Sequence, residues 1–280
     1  MMNANYVKYL NANKKSPKTI NSYTAHVNQM LEYIGKADAE ITYADLIDWQ
    51  ESISNLSSAT VALKVAAIKN YFEYLVKAGE IDSNPALNLE KPSVHNKPKH
   101  YMSATMIREM VNHARTYRDR ATIMLFASTG LRFEEMANIT LADYDQMKHD
   151  ENHALKIMGK GAKERFIYFN EETIRMTDKY LANCDVRNCD RLFVSFQGNP
   201  MQSNNYGLTL KAIAKNAGIS FWKEISPHCL RAACATMLNE HNVDTGTIRD
   251  VLGHASIATT QRYIKTSEEM KHKAMANSLF

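Results

Sequence analysis

The stretch IDSNPALNLEKPSVHNKPKHYMS decides how this chain can be divided, because Pro85, Pro92 and Pro98 interrupt it and Lys91, Lys97 and Lys99 keep it solvated. Each proline ring fixes φ and removes a backbone donor, so no helix runs through it. A linker is expected at 93–100, between an N-terminal domain over 1–92 and a larger domain over 101–280. A chain of 280 residues is long enough for two cores.

Ahead of the linker the apolar spacing is helical. Ser16 and Pro17 form an N-cap and first-turn pair, and Ile20, Thr24, Val27, Leu31 and Ile34 recur at helical spacing until Gly35 ends the run. Thr42 with Asp45 opens a short helix carrying Leu46 and Trp49, and Ser57 or Ser58 opens a longer one with a stripe of Val61, Val65, Ile68, Phe72 and Leu75. The first domain is therefore expected to be all-helical. Its polar faces offer Lys14, Lys15, Lys18, Lys64, Lys69 and Lys77 as candidates for contact with a nucleic-acid backbone, although solvated lysines look the same in a sequence.

Beyond the linker, Ser103 caps a helix through Ile107, Met110 and Val111, and the apolar run ATIMLFAS makes another. HALKIMGK and ERFIYF read as the two strands of a hairpin with Gly159-Lys160-Gly161 at its tip. The chain as a whole is expected to be mainly α, with a small antiparallel β-sheet in a mixed second domain.

Charge separates the halves further. Residues 1–98 hold ten lysines, no arginine and ten acids, while the remainder holds 24 basic residues against 20 acids. The formal net charge of +4 is compatible with a nucleic-acid partner. The start MMNANYVKYLNANKK lacks the apolar core of a signal peptide and no apolar run reaches a membrane span, so a cytoplasmic protein without membrane contact is expected. Cys184, Cys189, Cys229 and Cys234 match no CxxC spacing and read as reduced structural thiols, not as metal ligands.

Six residues in the second half carry chemistry: Arg132, Lys160, His228, Arg231, His254 and, nine positions later, Tyr263. Five can donate hydrogen bonds or positive charge to a phosphate, and the phenol can attack one. No carboxylate cluster for magnesium accompanies them, so these side chains would have to offset the charge of a phosphoryl transition state without metal or other cofactor. Gly130 suits a left-handed turn that puts Arg132 between two helices, where Glu135 can orient its guanidinium; an isolated RxxE is also the pattern of a surface helix pair. Lys160, between two glycines at a hairpin tip, suits a proton donor to a leaving oxygen, with Lys163 and Arg165 on the same hairpin as rivals. Ser226 and Pro227 start a helix whose first turns carry His228 and Arg231 on one side. Gly253 ends another helix, Ser256 can cap the next, and Tyr263 falls two turns into it.

Together TGLRFEE, GKGAKERFIYF, HCLR and LGHASIATTQRY resemble the tyrosine recombinase, or phage integrase, family, in order and spacing over about 99–265. The resemblance implies Tyr263 as nucleophile, Arg132 and Arg231 as phosphate clamps, Lys160 as general acid and His228 as acid/base. It further implies that His254 bonds the phosphate and that Glu135 supports the site, while Lys14, Lys15, Lys18, Lys64, Lys69, Lys163 and Arg165 are the candidate DNA contacts among the basic residues. The first domain is similar to the family's helical core-binding domain, which with the catalytic domain forms a clamp on duplex DNA.

The implied activity is site-specific cutting and rejoining of DNA through a 3′-phosphotyrosyl intermediate that conserves bond energy without ATP. The implied partners are double-stranded DNA with inverted-repeat core sites and further copies of the chain, a tetramer on DNA, with possible accessory proteins. A lambda-type arm-binding domain has no room before Ser16, which suggests a short Xer-like or transposon-type member. Met270, Ala274, Leu279 and Phe280 give the tail an apolar face for a neighbouring protomer. Two alternatives use the same fold or chemistry: a non-catalytic DNA-binding regulator and a type IB topoisomerase. A metal-dependent nuclease would need carboxylates that the sequence does not group.

Overall fold

A computed structural model of the chain describes residues 4–93, 100–159 and 164–253. The chain divides into two units, Met1–Lys99 and His100–Phe280.

The first unit is built from α1 (Ala4–Ala12), α2 (Pro17–Ile34), α3 (Tyr43–Ser52) and α4 (Ser58–Lys77). The caps explain the boundaries. The hydroxyls of Ser16, Thr42 and Ser57 accept from the backbone N–H three residues on, and Gly35 closes α2 in the left-handed region at φ 67°. The stripes expected on α2, α3 and α4 turn inward, so that Val27, Leu46, Trp49, Val65, Ile68, Phe72 and Leu75 are buried, while on α2 Met30 is buried in addition and Leu31 and Ile34 are half-buried. Each buried side chain contributes about 1.5–3 kcal/mol by leaving water. Helix α1 is not evident from spacing, yet its Tyr6 and Leu10 are fully buried. Tyr6 meets Tyr71 edge to face at 5.0 Å, and its hydroxyl donates to Asn70 Oδ1 at 2.9 Å. After α4 the chain lays Ala86 and Leu89 into the same core.

In the second unit α5 (Ala104–His113) and α6 (Tyr117–Thr129) lead to the short α7 (Phe133–Asn138) and α8 (Leu141–His149). A hairpin of β1 (Ala154–Met158) and β2 (Glu164–Tyr168) follows. Then come α9 (Glu171–Ala182), α10 (Ser203–Asn216), α11 (Pro227–Glu240) and α12 (Thr245–Leu252). Helix α6 is buried around most of its circumference and packs against α5, α9 and α11, which makes it the axis of this unit. The strands pair antiparallel with Leu155 opposite Ile167 and Ile157 opposite Arg165. The protein is thus mostly helical with one small two-stranded antiparallel sheet among the described residues. None of the described helices is long and apolar enough to cross a membrane.

Candidate active site

Helix α6 ends at Gly130, whose φ of 63° reverses the chain and whose missing Cβ leaves room for Leu252; an added Cβ would lie 2.3 Å from Leu252 Cδ2. Leu131 is fully buried, so the next residue, Arg132, emerges at a fixed point as the N-cap of α7. Glu135, in the first turn of α7, accepts from the Arg132 backbone N–H at 2.7 Å and from Arg132 Nη1 at 2.7 Å. The RxxE spacing does here what the sequence suggested, because the carboxylate caps the helix and aims the guanidinium together.

Two further arginines close on the same carboxylate. Arg165 Nη1 and Nη2 donate to Glu135 Oε1 and Oε2 at 2.9 and 2.7 Å, a two-pronged pair with the Arg165 side chain only 10% exposed. Arg231, from the second turn of α11 and buried, lies with Nη1 3.9 Å from Glu135 Oε2. Burial alone would raise the Glu135 pKa, but the hydrogen bonds from Arg165 and from the backbone and side chain of Arg132 outweigh it and hold the carboxyl down at about 2. Three guanidinium charges against one carboxylate leave 3 − 1 = 2 net positive charges in the cluster.

The end of α12 supplies the remaining acceptors. Arg165 Nε donates to Val251 O at 3.1 Å, Arg231 Nη2 donates to Leu252 O, and Arg132 Nη2 donates to Gly253 O at 2.8 Å, while Arg231 Nη1 reaches Gly130 O at 2.6 Å. The last carbonyls of a helix lack intrahelical partners and carry its negative pole, which suits cations. Gly253 adopts φ 63°, and an added Cβ would stand 3.0 Å from Arg165 Cδ. His254 follows directly in sequence.

His228 sits exposed on the first turn of α11, one turn before Arg231. Pro227 occupies the first helical position as expected, but the Ser226 hydroxyl is engaged with Cys229 Sγ at 3.3 Å instead of capping the helix. Cys184, Cys189, Cys229 and Cys234 carry free thiols. Burial pushes the Cys234 thiol up to about 12, against the opposing charge of Arg231. Among the described residues no three His, Cys, Asp or Glu side chains converge as a metal ligand set.

The structure therefore brings together Arg132, Glu135 and Arg231. Lys160, Lys163, His254, Tyr263 and the tail face through Phe280 lie outside the described residues. Of the residues assigned to DNA, Arg165 is engaged within its own unit. It occupies the core face of β2, opposite Ile157, where its guanidinium is engaged by Glu135 and Val251 and does not reach outward. Lys14, Lys15 and Lys18 are exposed around the turn between α1 and α2, whereas the ammonium groups of Lys64 and Lys69 are spent inside the unit on Gln29 Oε1 at 2.6 Å and Leu87 O at 2.9 Å. What sequence reading missed is that the site has a third arginine and a floor of helix-end carbonyls. Parity along ERFIYF puts Arg165 on the same face as Ile167 and Phe169, but Phe166 and Tyr168 make the other face equally apolar, so the sequence held no signal that this face is the inward one.

Comparison with known proteins gives a consistent answer. Residues 100–270 match the family described as "Phage integrase family", and residues 4–79 match "Phage integrase, N-terminal SAM-like domain". The tyrosine recombinase XerD of Rickettsia conorii is 32% identical over 93% of this chain and 92% of its own length. The tyrosine recombinase XerC of Staphylococcus saprophyticus is 29% identical over 98% and 95%. Among solved structures, the Tn1549 transposon integrase in complex with a circular intermediate DNA shares the fold with a TM-score of 0.74, at 16% identity over 98% of each chain.

Proposed function

The chain belongs to the phage integrase family and is a tyrosine site-specific recombinase, and from that premise we propose how its own residues divide the work. Tyr263 attacks a backbone phosphorus, the P–O5′ bond breaks, and a 3′-phosphotyrosyl link forms. The departing 5′ oxygen takes its proton from Lys160, with His228 as the second acid/base, since neither the phenolate nor a 5′ alkoxide leaves readily at neutral pH. Arg132 and Arg231 offset the charge that builds on the phosphoryl oxygens, each contributing about 3–4 kcal/mol in the manner of other oxyanion clamps. His254 bonds the same phosphate. A 5′ hydroxyl from a second strand then reverses the attack, so no nucleotide cofactor is consumed.

The observation that carries this reading is the convergence of Arg132 and Arg231, from α7 and α11, on Glu135 and on the carbonyls that immediately precede His254. A net positive floor held by hydrogen bonds within the unit is preorganised for a phosphate and costs no rearrangement during the reaction. The partner is duplex DNA carrying inverted-repeat core sites, contacted by the helical N-terminal domain over 1–92 and by the catalytic domain over 101–280, with 93–100 as linker. Exposed Lys14, Lys15 and Lys18 supply phosphate contacts from the first of these. Four copies assemble on two such sites, and the chain acts in the cytoplasm, where the DNA lies. The DNA complex of the similar transposon integrase supports this partner.

The test is incubation with nicked suicide duplexes built from candidate inverted repeats. A covalent protein–DNA adduct is expected that disappears in Tyr263→Phe while DNA binding is retained. Binding without any adduct would favour a regulator, and relaxation of supercoiled DNA without site preference would favour a topoisomerase.

A further inference from the structure

Arg165 is the one guanidinium of the cluster to which the reaction assigns no task. Strand parity puts it where an apolar side chain belongs, beside Ile157 on the core face of the hairpin, and a charge there is costly unless it is paired and fully hydrogen-bonded. It is paired with Glu135 and spends three of its donors within the protein, two on Glu135 and one on Val251 O. These contacts join three segments that are distant in sequence. One is the start of β2, at the loop end of the hairpin ladder and five residues after Lys160 in sequence, another is the final turn of α12 just before His254, and the third is the start of α7, where Glu135 aims Arg132. Gly253 adds a steric link, since its backbone passes so close to Arg165 that a Cβ would contact the side chain.

We propose that Arg165 is a positioning residue, a buried tie that holds the hairpin, the end of α12 and the Glu135–Arg132 pair in one register while making no contact with DNA. The idea rests on the recombinase reading for its catalytic consequence only. Bidentate geometry is what makes arginine necessary: a lysine can offer Glu135 one point charge, but it cannot at once occupy both carboxylate oxygens and a carbonyl. The charged groups that the described residues set against Glu135 are Arg132 on its own helix, Arg165 from β2 and Arg231 from α11; neighbouring Glu134 is exposed. Without Arg165, the Glu135 carboxyl loses its main stabilising partner and its pKa rises toward the ordinary carboxylate range. Below that new value it protonates and releases Arg132.

The full chain with Arg165→Gln and Arg165→Lys tests this in three measurements. Binding to a duplex of random sequence should keep the wild-type dependence on salt, because no phosphate contact has been removed; a slope shallower by about one counterion would mean that Arg165 touches the backbone and would overturn the proposal. Acid unfolding should begin at higher pH in Arg165→Gln than in wild type, with Arg165→Lys between them, and superimposable profiles would equally overturn it. On a nicked suicide duplex at saturating concentration, the rate of adduct formation should fall by about 100-fold in Arg165→Gln, as misplaced catalytic groups do, with its acid limb moved to higher pH. An undiminished rate would contradict the role. If wild type itself forms no adduct, the recombinase reading fails, while salt dependence and acid unfolding still decide what Arg165 does.

Discussion

The two units bury different things. In the N-terminal unit the only polar side chain counted as buried among the described residues is Thr24, whose hydroxyl turns back on Ile20 O, and every other interior residue is apolar or aromatic. The second unit buries Arg118, Asp119, Glu135 and Arg231. Arg118 and Asp119 pair with each other at 2.7 Å under the ring of Phe196, and the other two belong to the active-site cluster. An apolar interior is indifferent to pH and salt, whereas buried ions owe their tolerance to their partners. The same molecule thus has one unit stabilised by area and another whose interior is committed to presenting charge.

The sharpest test of this contrast compares removal of one member from each interior. Phe72→Ala should cost the first unit about 3–5 kcal/mol, by the same amount at pH 7 and pH 5, since it removes only packing. Glu135→Ala should cost the second unit a similar figure, about 3–5 kcal/mol at pH 7, because three guanidinium groups lose their shared partner, and it should also abolish adduct formation. The pH dependence then separates them. With its folded pKa depressed to about 2, Glu135 stabilises the native state above its unfolded value of roughly 4.5, and this contribution is lost as pH falls from there toward 2. Denaturant titrations of both variants and wild type at several pH values between 3 and 7 would read this. A Glu135→Ala penalty that stays constant across that window would break the distinction.

How much of each unit could be read beforehand follows from the same difference. Three helices of the first unit were legible, two of them down to their caps at Ser16 and Thr42 and the third to a choice between Ser57 and Ser58, because apolar burial repeats with the helix and capping hydroxyls precede it. Helix α1 escaped because its inward residues, Tyr6 and Leu10, are only two positions in a short segment. In the second unit the positions of Arg132, Glu135 and Arg231 were legible from glycine and proline punctuation around them. The direction of Arg165 was not. Both faces of its strand read as apolar, with exposed Phe166 and Tyr168 alternating against buried Ile167 and Phe169, so alternation could not say which face is the core. Nor could any local pattern show that the carbonyls of Val251, Leu252 and Gly253 form the floor of the cluster, since this depends on α12 meeting α7, β2 and α11 in space.

Glycines sharpen the comparison at smaller cost. Gly35 and Gly130 both cap helices at nearly the same positive φ, 67° and 63°. Alanine at 35 would find nothing within 4 Å, so Gly35→Ala should lose only the backbone strain, about 1–2 kcal/mol. Alanine at 130 would collide with Leu252, and Gly130→Ala should lose a further 1–3 kcal/mol as that side chain shifts. Because Gly130 O and Leu252 O both accept from Arg231, the second variant should also slow adduct formation, while the first should not. Thermal unfolding alongside suicide-substrate kinetics distinguishes them, and equal melting shifts would show that the crowding at 130 is relieved without consequence.

The smallest expected effects concern the lysines of the first unit, and they separate two kinds of basic residue that look alike in sequence. Lys15 is exposed beside the α1–α2 turn, and Lys15→Ala should leave stability within about 0.5 kcal/mol of wild type while reducing the salt slope of DNA binding by about one. Lys69 is half-buried with its ammonium donating to Leu87 O, which fastens the segment after α4 to the helix. Lys69→Ala should therefore do the reverse, costing about 0.5–1.5 kcal/mol of stability and leaving the salt slope untouched. The physical reason is that a phosphate contact requires an ammonium free to exchange its water for an anion, and one already committed to a backbone carbonyl would have to break that bond first. A salt slope lowered equally by both substitutions would show that this commitment yields to DNA, and that the basic face of the first unit extends as far as Lys69.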